Sequence, residues 1–341
     1  MIYFECDYNN GAHPLVLQHL IETNNAYQIG YGFDQYTLRA CEKIKEFCHA
    51  PDAQVYLLNG GTQTNVVVLT AILHPYEGVL SAVTGHIHAH EAGALENAGI
   101  KILPLSGHEG KIDWQELKDF LVRFYADENN EHMVFPGALY ISHPTEYGTL
   151  YTKEELNIIS DICKQYGIRL FLDGARLGYA LSSKSTNVTI NDIVQTCDVF
   201  YIGGTKVGAL CGEAVVFPKG NMPSHFANHV KKLGAMTAKG RLLGVQFDAL
   251  FTDDLYLKIS SHAIIMAEEL KKVLHKKDIK FFLETDTNQQ FVVLSNDKIN
   301  QLKDQVQFSY WEPYDESHTV VRFATSWSTT LDDIKMLEII L

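Results

Sequence analysis

The chain has 341 residues, 46% of them hydrophobic and 20% charged, which is typical of a globular protein large enough to fold without disulfide or metal support. Its 28 lysines and arginines are outnumbered by 41 aspartates and glutamates, and the net charge of −13 repels polyanions, so nucleic acid is not an expected partner. There is no apolar run long enough to cross a membrane, no recognisable signal peptide and no Cys-x-x-Cys pair among the six cysteines, which together predict a cytoplasmic protein with reduced thiols and no membrane partner.

The first 240 residues alternate strand and helix patterns. The predicted strands are Gln54–Leu58, Val79–Thr84, Lys101–Leu105, Ala138–Ser142, Arg169–Leu172, Val199–Ile202 and Glu213–Phe217. Helical patterns lie between several of them, at Thr64–Leu73, His88–Ala98, Asp113–Ala126 and Lys153–Tyr166. This βαβ rhythm predicts an α/β fold with a large, mostly parallel sheet and helices on both faces.

Beyond residue 240 the pattern changes to one long helix followed by short strands. The helix covers Leu255–His275, the strands are Lys280–Leu283, Gln290–Leu294, Val306–Tyr310 and Thr319–Ala324, and a last helix covers Leu331–Leu341. This order predicts a smaller α+β domain. We therefore expect a large domain at residues 1–240, including the N-terminal segment, and a small C-terminal domain at residues 241–341.

Polar residues follow five of the predicted strands in the large domain. They are Asn59–Gln63, Gly85 with His86, Ser142 with His143 and Thr145, Asp173–Arg176, and Gly203–Lys206. Because ligands of parallel α/β sheets bind at the carboxyl ends of the strands, these residues are predicted to meet at one edge of the sheet.

Each of these residues, taken singly, also has an ordinary structural explanation. The Gly60–Thr62 turn opens a predicted helix, where its backbone N–H groups suit a phosphate, but two glycines after a strand also simply form a tight turn. Asp173 ends an apolar strand, which suits a cationic ligand, an ion pair with Arg176 or a helix N-cap. Lys206 is either a Schiff-base nucleophile in a partly buried site or a solvated loop lysine.

Alternating histidines at His86, His88 and His90 raise the question of a metal site. The sequence places no Asp, Glu or Cys to complete a ligand set, so no metal is predicted, and His86 is expected to stack on or titrate against a planar ligand. Arg322 lies on the opposite face of its strand from Val321 and Phe323, where it is either a surface residue or a fork for a carboxylate.

Together, these motifs resemble fold-type I enzymes that use pyridoxal 5′-phosphate (PLP), the aspartate aminotransferase superfamily. More narrowly, the chain resembles the threonine aldolase and β-eliminating lyase family. The matching segments run nearly end to end: Asp7, Tyr31–Asp34, Gly61–Asn65, His86, Glu91–Gly93, Asp173–Arg176, Thr205 with Lys206, and Arg322. The resemblance implies a large PLP-binding domain, a small C-terminal domain, and a homodimer or homotetramer with active sites at the subunit interface.

The resemblance also implies roles for single residues. Lys206 would form the internal aldimine with PLP, and Asp173 would keep the pyridinium nitrogen protonated. His86 would stack over the cofactor ring and handle the proton of the substrate hydroxyl. The remaining cofactor-binding residues would be Gly60, Gly61, Thr62, Arg176 and Thr205, and the substrate-binding residues would be Arg176, Arg322, Tyr31 and Cys6.

Three features depart from the family pattern. Cys6 stands where a serine is usual near the substrate carboxylate, and Glu146 stands where a histidine is frequent. The basic residue that a neighbouring subunit lends to the phosphate has two candidates, Lys239 and Arg241.

The predicted activity is PLP-dependent retro-aldol cleavage of a β-hydroxy-α-amino acid, in which L-threonine or L-allo-threonine yields glycine and acetaldehyde, with low specificity. The alternative is a β-eliminating lyase or another amino-acid enzyme on the same fold, because fold does not fix reaction. A non-catalytic binding protein is a third reading, and the presence of both Lys206 and Asp173 argues against it.

Overall fold

The computed structural model describes residues 1–341. Its strands are β1 (Ile2–Tyr3), β2 (Gln54–Leu58), β3 (Glu77–Ala82), β4 (Ile102–Leu105), β5 (Phe135–Ser142), β6 (Arg169–Asp173), β7 (Val199–Gly203), β8 (Glu213–Phe217), β9 (Lys280–Leu283), β10 (Gln289–Ser295), β11 (Val306–Gln307), β12 (Ser309–Pro313) and β13 (His318–Ala324). Its α-helices are α1 (Pro14–Thr23), α2 (Gln35–Phe47), α3 (Gly61–Ile72), α4 (His86–Ala89), α5 (Ala94–Asn97), α6 (Trp114–Ala126), α7 (Lys153–Tyr166), α8 (Leu177–Ser182), α9 (Ile190–Thr196), α10 (Phe226–Lys232), α11 (Arg241–Leu250), α12 (Leu255–Lys276), α13 (Asn296–Leu302) and α14 (Leu331–Ile340).

The large sheet has seven strands in the order β2-β8-β7-β6-β5-β3-β4. The strands from β4 to β7 are parallel, whereas β8 runs antiparallel to both β7 and β2. Alternate side chains point to opposite faces, so Leu139 and Leu170 belong to one core cluster with α7, and Tyr140 and Phe171 belong to another with α3. This arrangement confirms the predicted α/β fold.

The smaller sheet has four antiparallel strands in the order β12-β13-β10-β9. Its buried face packs on α12 and α14 through residues such as Val321, Leu270 and Leu337. The start of the chain joins this part, because β1 pairs in parallel with β11, whereas α11 packs against α1 and α2. The division at residue 240 stays a prediction. None of the helices combines the length and the apolar character that a membrane span requires.

Two predicted elements differ from the structure for local reasons. The single helix at His88–Ala98 is wrong, because α4 and α5 are separate and the residues between them include Ala92 and Gly93 at φ of +52° and +74°. The single strand at Val306–Tyr310 is wrong as well, since β11 pairs with β1 and β12 with β13. The predicted buried helix at Thr64–Leu73 is present as α3, which starts at Gly61.

Candidate active site

The residues predicted to meet at one sheet edge do line one cavity of about 320 Å³, here called the inner cavity. Its lining includes all of the residues expected to bind cofactor: Gly60, Gly61, Thr62, His86, Asp173, Arg176, Thr205 and Lys206. Strand ends deliver most of them, because β2, β5, β6 and β7 all finish at this edge of the sheet.

At one end of the inner cavity lies the first turn of α3. Gly60 is the N-cap in an extended conformation and supplies no side chain to the free N–H groups that follow it. A Cβ atom on Gly61 would approach the Tyr201 hydroxyl to 3.3 Å, so the absence of a side chain keeps the cavity open here. The turn therefore offers backbone donors and a positive helix end to an anion.

Asp173, at the end of β6, is buried and held by neutral donors. Its Oδ2 accepts from the Tyr140 hydroxyl at 2.5 Å and from Asn65 Nδ2 at 3.3 Å, and its Oδ1 accepts from the backbone N–H of Ala175 at 3.0 Å. The expected alternative of an ion pair between Asp173 and Arg176 is wrong, because Arg176 pairs elsewhere. A buried carboxylate with only neutral donors can stabilise a cationic group of a ligand.

Lys206 is not a solvated loop residue: it lies on the wall of the inner cavity and forms no salt bridge. Burial of its amine and the nearby Arg176 guanidinium lower its pKa from the ordinary value. An amine that loses its proton more readily is a better nucleophile.

Arg176 forms a salt bridge with Asp7, which belongs to the N-terminal segment. Its Nε and Nη2 donate to the two oxygens of Asp7 at 2.7 and 3.0 Å, and Asn288 also donates to Asp7 at 2.9 Å. Burial raises the pKa of Asp7, but the charges of Arg176 and Lys206 and the hydrogen bonds from Arg176 and Asn288 outweigh this effect and lower the pKa to about 2. Arg176 thus lies in the site as predicted, but two of its N–H groups are already used.

His86, at the start of α4, is oriented by a buried glutamate that the sequence did not single out as functional. His86 Nδ1 lies 2.8 Å from Glu91 Oε1, and the same oxygen accepts from Asn65 Nδ2 at 2.7 Å. An ionised carboxylate can only accept, so Nδ1 carries the proton in this arrangement and Nε2 is left as the acceptor of the neutral ring. Asn65 links this pair to Asp173.

A second cavity of about 540 Å³, the outer chamber, adjoins the first and shares Tyr8, His86, Glu146, Arg176 and Lys206 with it. Strands β12 and β13 of the small sheet and segments that follow strands of the large sheet line the outer chamber. The lining residues that it does not share with the inner cavity are Val83, Thr84, Ala89, His90, Tyr147, Ser309, Tyr310, Trp311, Glu312 and Arg322.

Arg322 in β13 enters the outer chamber and is not a surface residue. Its guanidinium donates to Gln289 Oε1, the Glu5 carbonyl and Ser309 Oγ, each at 3.0 Å, and it lies 5.3 Å from the centre of the Trp311 ring. Its Nε–H is buried without an acceptor in the chain. A preorganised arginine with an unused donor suits a substrate carboxylate.

Glu146 stands at the junction of the two cavities. Its Oε1 accepts from the Ser142 hydroxyl at 2.6 Å and from the backbone N–H of His86 at 2.9 Å. Burial raises the pKa of this carboxyl, which makes Glu146 a second titratable group beside His86.

Two predicted substrate-binding residues lie outside both cavities of this chain. Cys6 is half-buried, with its thiol 2.6 Å from Asn9 Oδ1, and Tyr31 lines a separate apolar groove of about 480 Å³ and lies under the Lys231 amine. Their roles stay predictions.

The residues of the inner cavity fit PLP. The free N–H groups of α3 and its positive end suit the phosphate, the buried Asp173 suits a protonated ring nitrogen, and the Lys206 amine has no competing ion pair. His86 lines the same wall and can cover a planar ring.

Comparison with known proteins supports this fit. The model of the beta-eliminating lyase family matches residues 23–297. A low specificity L-threonine aldolase of Pseudomonas aeruginosa is 28% identical over 338 residues, which cover 98% of this chain and 95% of the relative. The solved structure of a threonine aldolase from Leishmania major has a TM-score of 0.95 and 37% identity, and the match covers 100% of this chain and 98% of that one.

More distant structures share the fold. Cystalysin of Treponema denticola, whose structure contains a PLP cofactor, has a TM-score of 0.73 at 15% identity, covering 100% of this chain and 91% of that one. With the family model matching most of its length, the chain belongs to the β-eliminating lyase family of PLP-dependent enzymes.

Proposed function

We propose that this protein is a threonine aldolase of low specificity, which cleaves L-threonine or L-allo-threonine to glycine and acetaldehyde with PLP as its cofactor. The observation that carries the proposal is that one continuous space holds Lys206, Asp173 and His86 together with Arg322. The curated relatives named as low specificity L-threonine aldolases support the choice of substrate.

In this proposal the inner cavity holds the cofactor. Lys206 would be the amine that holds the cofactor aldehyde, Asp173 would face the ring nitrogen and favour its protonated form, and the Gly60–Thr62 turn would hold the phosphate. When bound, PLP supplies an electron-withdrawing ring that stabilises negative charge at the α-carbon of an amino acid. Tyr140 and Asn65 hold the Asp173 carboxylate in place, because both donate hydrogen bonds to it.

The substrate is bound from the outer chamber. Arg322 takes its carboxylate and fixes which bond at the α-carbon can break. His86 accepts the proton of the β-hydroxyl at Nε2, since Glu91 holds the proton on Nδ1, and loss of that proton accompanies cleavage of the bond between Cα and Cβ. Glu146, beside His86, is the second group that can accept or return a proton here.

An assay for acetaldehyde tests the proposal. PLP-loaded protein is given L-threonine and then L-allo-threonine, with Lys206→Ala in parallel and Lys118→Ala, on the exposed face of α6, as the control. We expect acetaldehyde from the wild type and the control, and a loss of about 10³-fold or more in Lys206→Ala. Ammonia and a keto acid in place of acetaldehyde would assign β-elimination, and normal turnover by Lys206→Ala would contradict the assigned role of the lysine.

The proposal includes a cytoplasmic homodimer or homotetramer. Large apolar side chains are exposed around α1 and the loop after it, among them Ile21 at 68%, Ile29 at 70% and Phe33 at 69%. The Arg241 guanidinium donates to the backbone carbonyls of Thr23 and Ala26, whereas the Lys239 amine makes no hydrogen bond within the chain. Because the Lys239 side chain, unlike that of Arg241, has no partner within the chain, we choose Lys239 as the basic residue lent to the phosphate of a neighbouring subunit.

Light scattering after size exclusion tests the assembly. We expect the mass of a dimer or tetramer for the wild type and a shift towards the monomer for Ile21→Glu combined with Ile29→Glu, because two charges would enter an apolar interface. The control is Ile339→Glu, on the equally exposed end of α14. A monomeric wild type would contradict the proposed assembly.

A further inference from the structure

Glu213 is a buried carboxylate of the inner cavity that the proposed chemistry does not use. It is the first residue of β8, whose neighbours are Gly203 in β7 and Leu58 in β2. Because β8 runs antiparallel to both strands, its first residue lies at the edge where β7 and β2 end. Glu213 is 3% exposed and lines the inner cavity together with Gly60, Gly61, Thr62 and Thr205.

The contacts of Glu213 are neutral. Its Oε1 accepts from Thr205 Oγ1 at 2.8 Å, its Oε2 accepts from the backbone N–H of Gly204 at 3.2 Å, and it has no salt bridge. Burial raises the pKa of this carboxyl to about 8, although Thr205 and Lys206 favour its anion. Two buried anions, a carboxylate and a phosphate, would repel each other strongly in one small cavity.

The hydrogen bonds of Thr205 connect Glu213 to the anion site. Thr205 Oγ1 accepts from the backbone N–H of Gly212 at 3.0 Å and donates its only proton to Glu213 at 2.8 Å, with the Gly212 carbonyl as a more distant acceptor at 3.5 Å. While Glu213 is an anion, Thr205 therefore has no proton left for a ligand. If Glu213 is protonated, it can donate to Thr205 across the same contact, and the Thr205 hydroxyl is then free to donate into the cavity.

We propose that Glu213 is a proton-holding residue of the cofactor site, which takes up a proton from solvent when the phosphate binds and thereby turns the Thr205 hydroxyl towards the phosphate. The inference rests on the proposed position of the phosphate at the Gly60–Thr62 turn. One proton moves from solvent to the Glu213 carboxylate, and no covalent bond to the cofactor is involved.

The other ionisable groups that act on Glu213 set the conditions of the test. They are Lys206, Asp173, Cys211, Tyr201 and Tyr256. Burial raises the pKa values of Cys211, Tyr201 and Tyr256, and these groups are present in both the wild type and the variant, so the comparison of the two proteins removes their contribution. A bound phosphate also favours the protonated form of Lys206, which adds to proton uptake and has to be subtracted.

Calorimetric titration of cofactor-free, full-length protein with pyridoxamine 5′-phosphate measures the uptake directly, because this probe has no aldehyde to react with Lys206. Titrations at pH 9 in two buffers of different ionisation enthalpy give the number of protons bound. We expect the wild type to take up about one proton more than Glu213→Gln, since the carboxyl of the free protein is mostly ionised at this pH. Between pH 8.5 and 9.5 the affinity of the wild type should fall about tenfold relative to that of the variant.

Equal proton uptake and equal pH dependence in the wild type and Glu213→Gln would overturn the inference. If Glu213→Gln does not fold, Glu213→Ala takes its place in the same comparison, because Lys206 and the ionisable groups of the probe are present with both proteins and only the difference between them reports on Glu213. If neither protein binds the probe, the proposal that the inner cavity binds the cofactor is wrong, and the inference about Glu213 falls with it. Aldolase activity is measured separately, so loss of acetaldehyde formation with normal probe binding affects only the proposed reaction.

Discussion

Two buried carboxylates of this protein have opposite surroundings. Asp248, in α11, contacts three basic side chains, His19 at 3.0 Å, Arg39 at 2.5 Å and Lys43 at 2.6 Å. Burial raises the pKa of Asp248, but the hydrogen bonds from these three residues outweigh this effect and lower the pKa to about 2. Glu213, in the inner cavity, has neutral donors alone, and burial raises its pKa to about 8.

This is the difference that we expect between a structural carboxylate and one that binds a ligand. Asp248 is fully neutralised within the chain, so it ties α11 to α1 and α2 and has no capacity left for a ligand. Glu213 and Asp173 form no salt bridge, and burying a carboxylate without one costs stability. A ligand whose binding adds a proton or a cationic group neutralises the negative charge of these carboxylates. Buried groups that become neutralised only when a ligand binds are typical of binding sites.

The strongest test of this contrast is Asp173→Asn in the inner cavity. The amide cannot stabilise a positive ring nitrogen, so we expect kcat to fall about 10²- to 10³-fold, the usual effect of removing a preorganised charge from an active site. Circular dichroism and the thermal midpoint check that the variant folds, and the acetaldehyde assay gives kcat. An unchanged kcat would mean that Asp173, like Asp248, is structural.

Asp248→Asn tests the structural side of the contrast. The pKa of Asp248 in the folded state, about 2, lies below the ordinary value of 3.8, so its stabilising effect is present above pH 4 and is lost as the pH falls towards 2. We expect the variant to lose about 2 kcal/mol of unfolding free energy at pH 7 and progressively less below pH 4.

Urea unfolding at several pH values provides the measurement for Asp248. Asp332→Asn is the matched control, because the pair of Asp332 with Lys335 is exposed and is expected to contribute little. A loss that stays constant down to pH 2 would show that the charge of Asp248 is not the cause.

The direction of the strands explains which residues of the cavity could be predicted from the sequence. The cavity positions from Gly60 to Lys206 were identifiable because parallel strands bring their carboxyl ends to one edge whatever the details of packing. Glu213 was missed because β8 is antiparallel and delivers its first residue to that edge. Tyr140 was missed because it lies inside a strand whose neighbours are apolar, so it resembles a core residue. Asn65 lies in the matched segment Gly61–Asn65, but nothing in its sequence position predicts the hydrogen bonds to Asp173 and Glu91.

Neither α1 nor α2 was predicted. In α1, exposed apolar residues such as Leu17 and Ile21 blur the division into a polar and an apolar face. In α2 the buried residues Tyr36, Ala40 and Ile44 follow a helical spacing, so the sequence does contain the signal for this helix. The outer chamber was also beyond reach: it forms where β12 and β13 of the small sheet meet the α4 segment, a contact that no local pattern encodes.

Arg322→Lys concerns the outer chamber, where the smallest of these effects is expected. Lysine keeps the positive charge but cannot donate simultaneously to Gln289, the Glu5 carbonyl, Ser309 and a substrate carboxylate. We expect KM to rise about tenfold, corresponding to one lost hydrogen bond to a charged group, with unchanged affinity for PLP. Arg123→Lys, on the exposed face of α6, should leave both quantities unchanged. If Arg322→Lys weakened PLP binding and left KM unchanged, the arginine would belong functionally to the inner cavity, and the carboxylate site would have to lie elsewhere in the outer chamber.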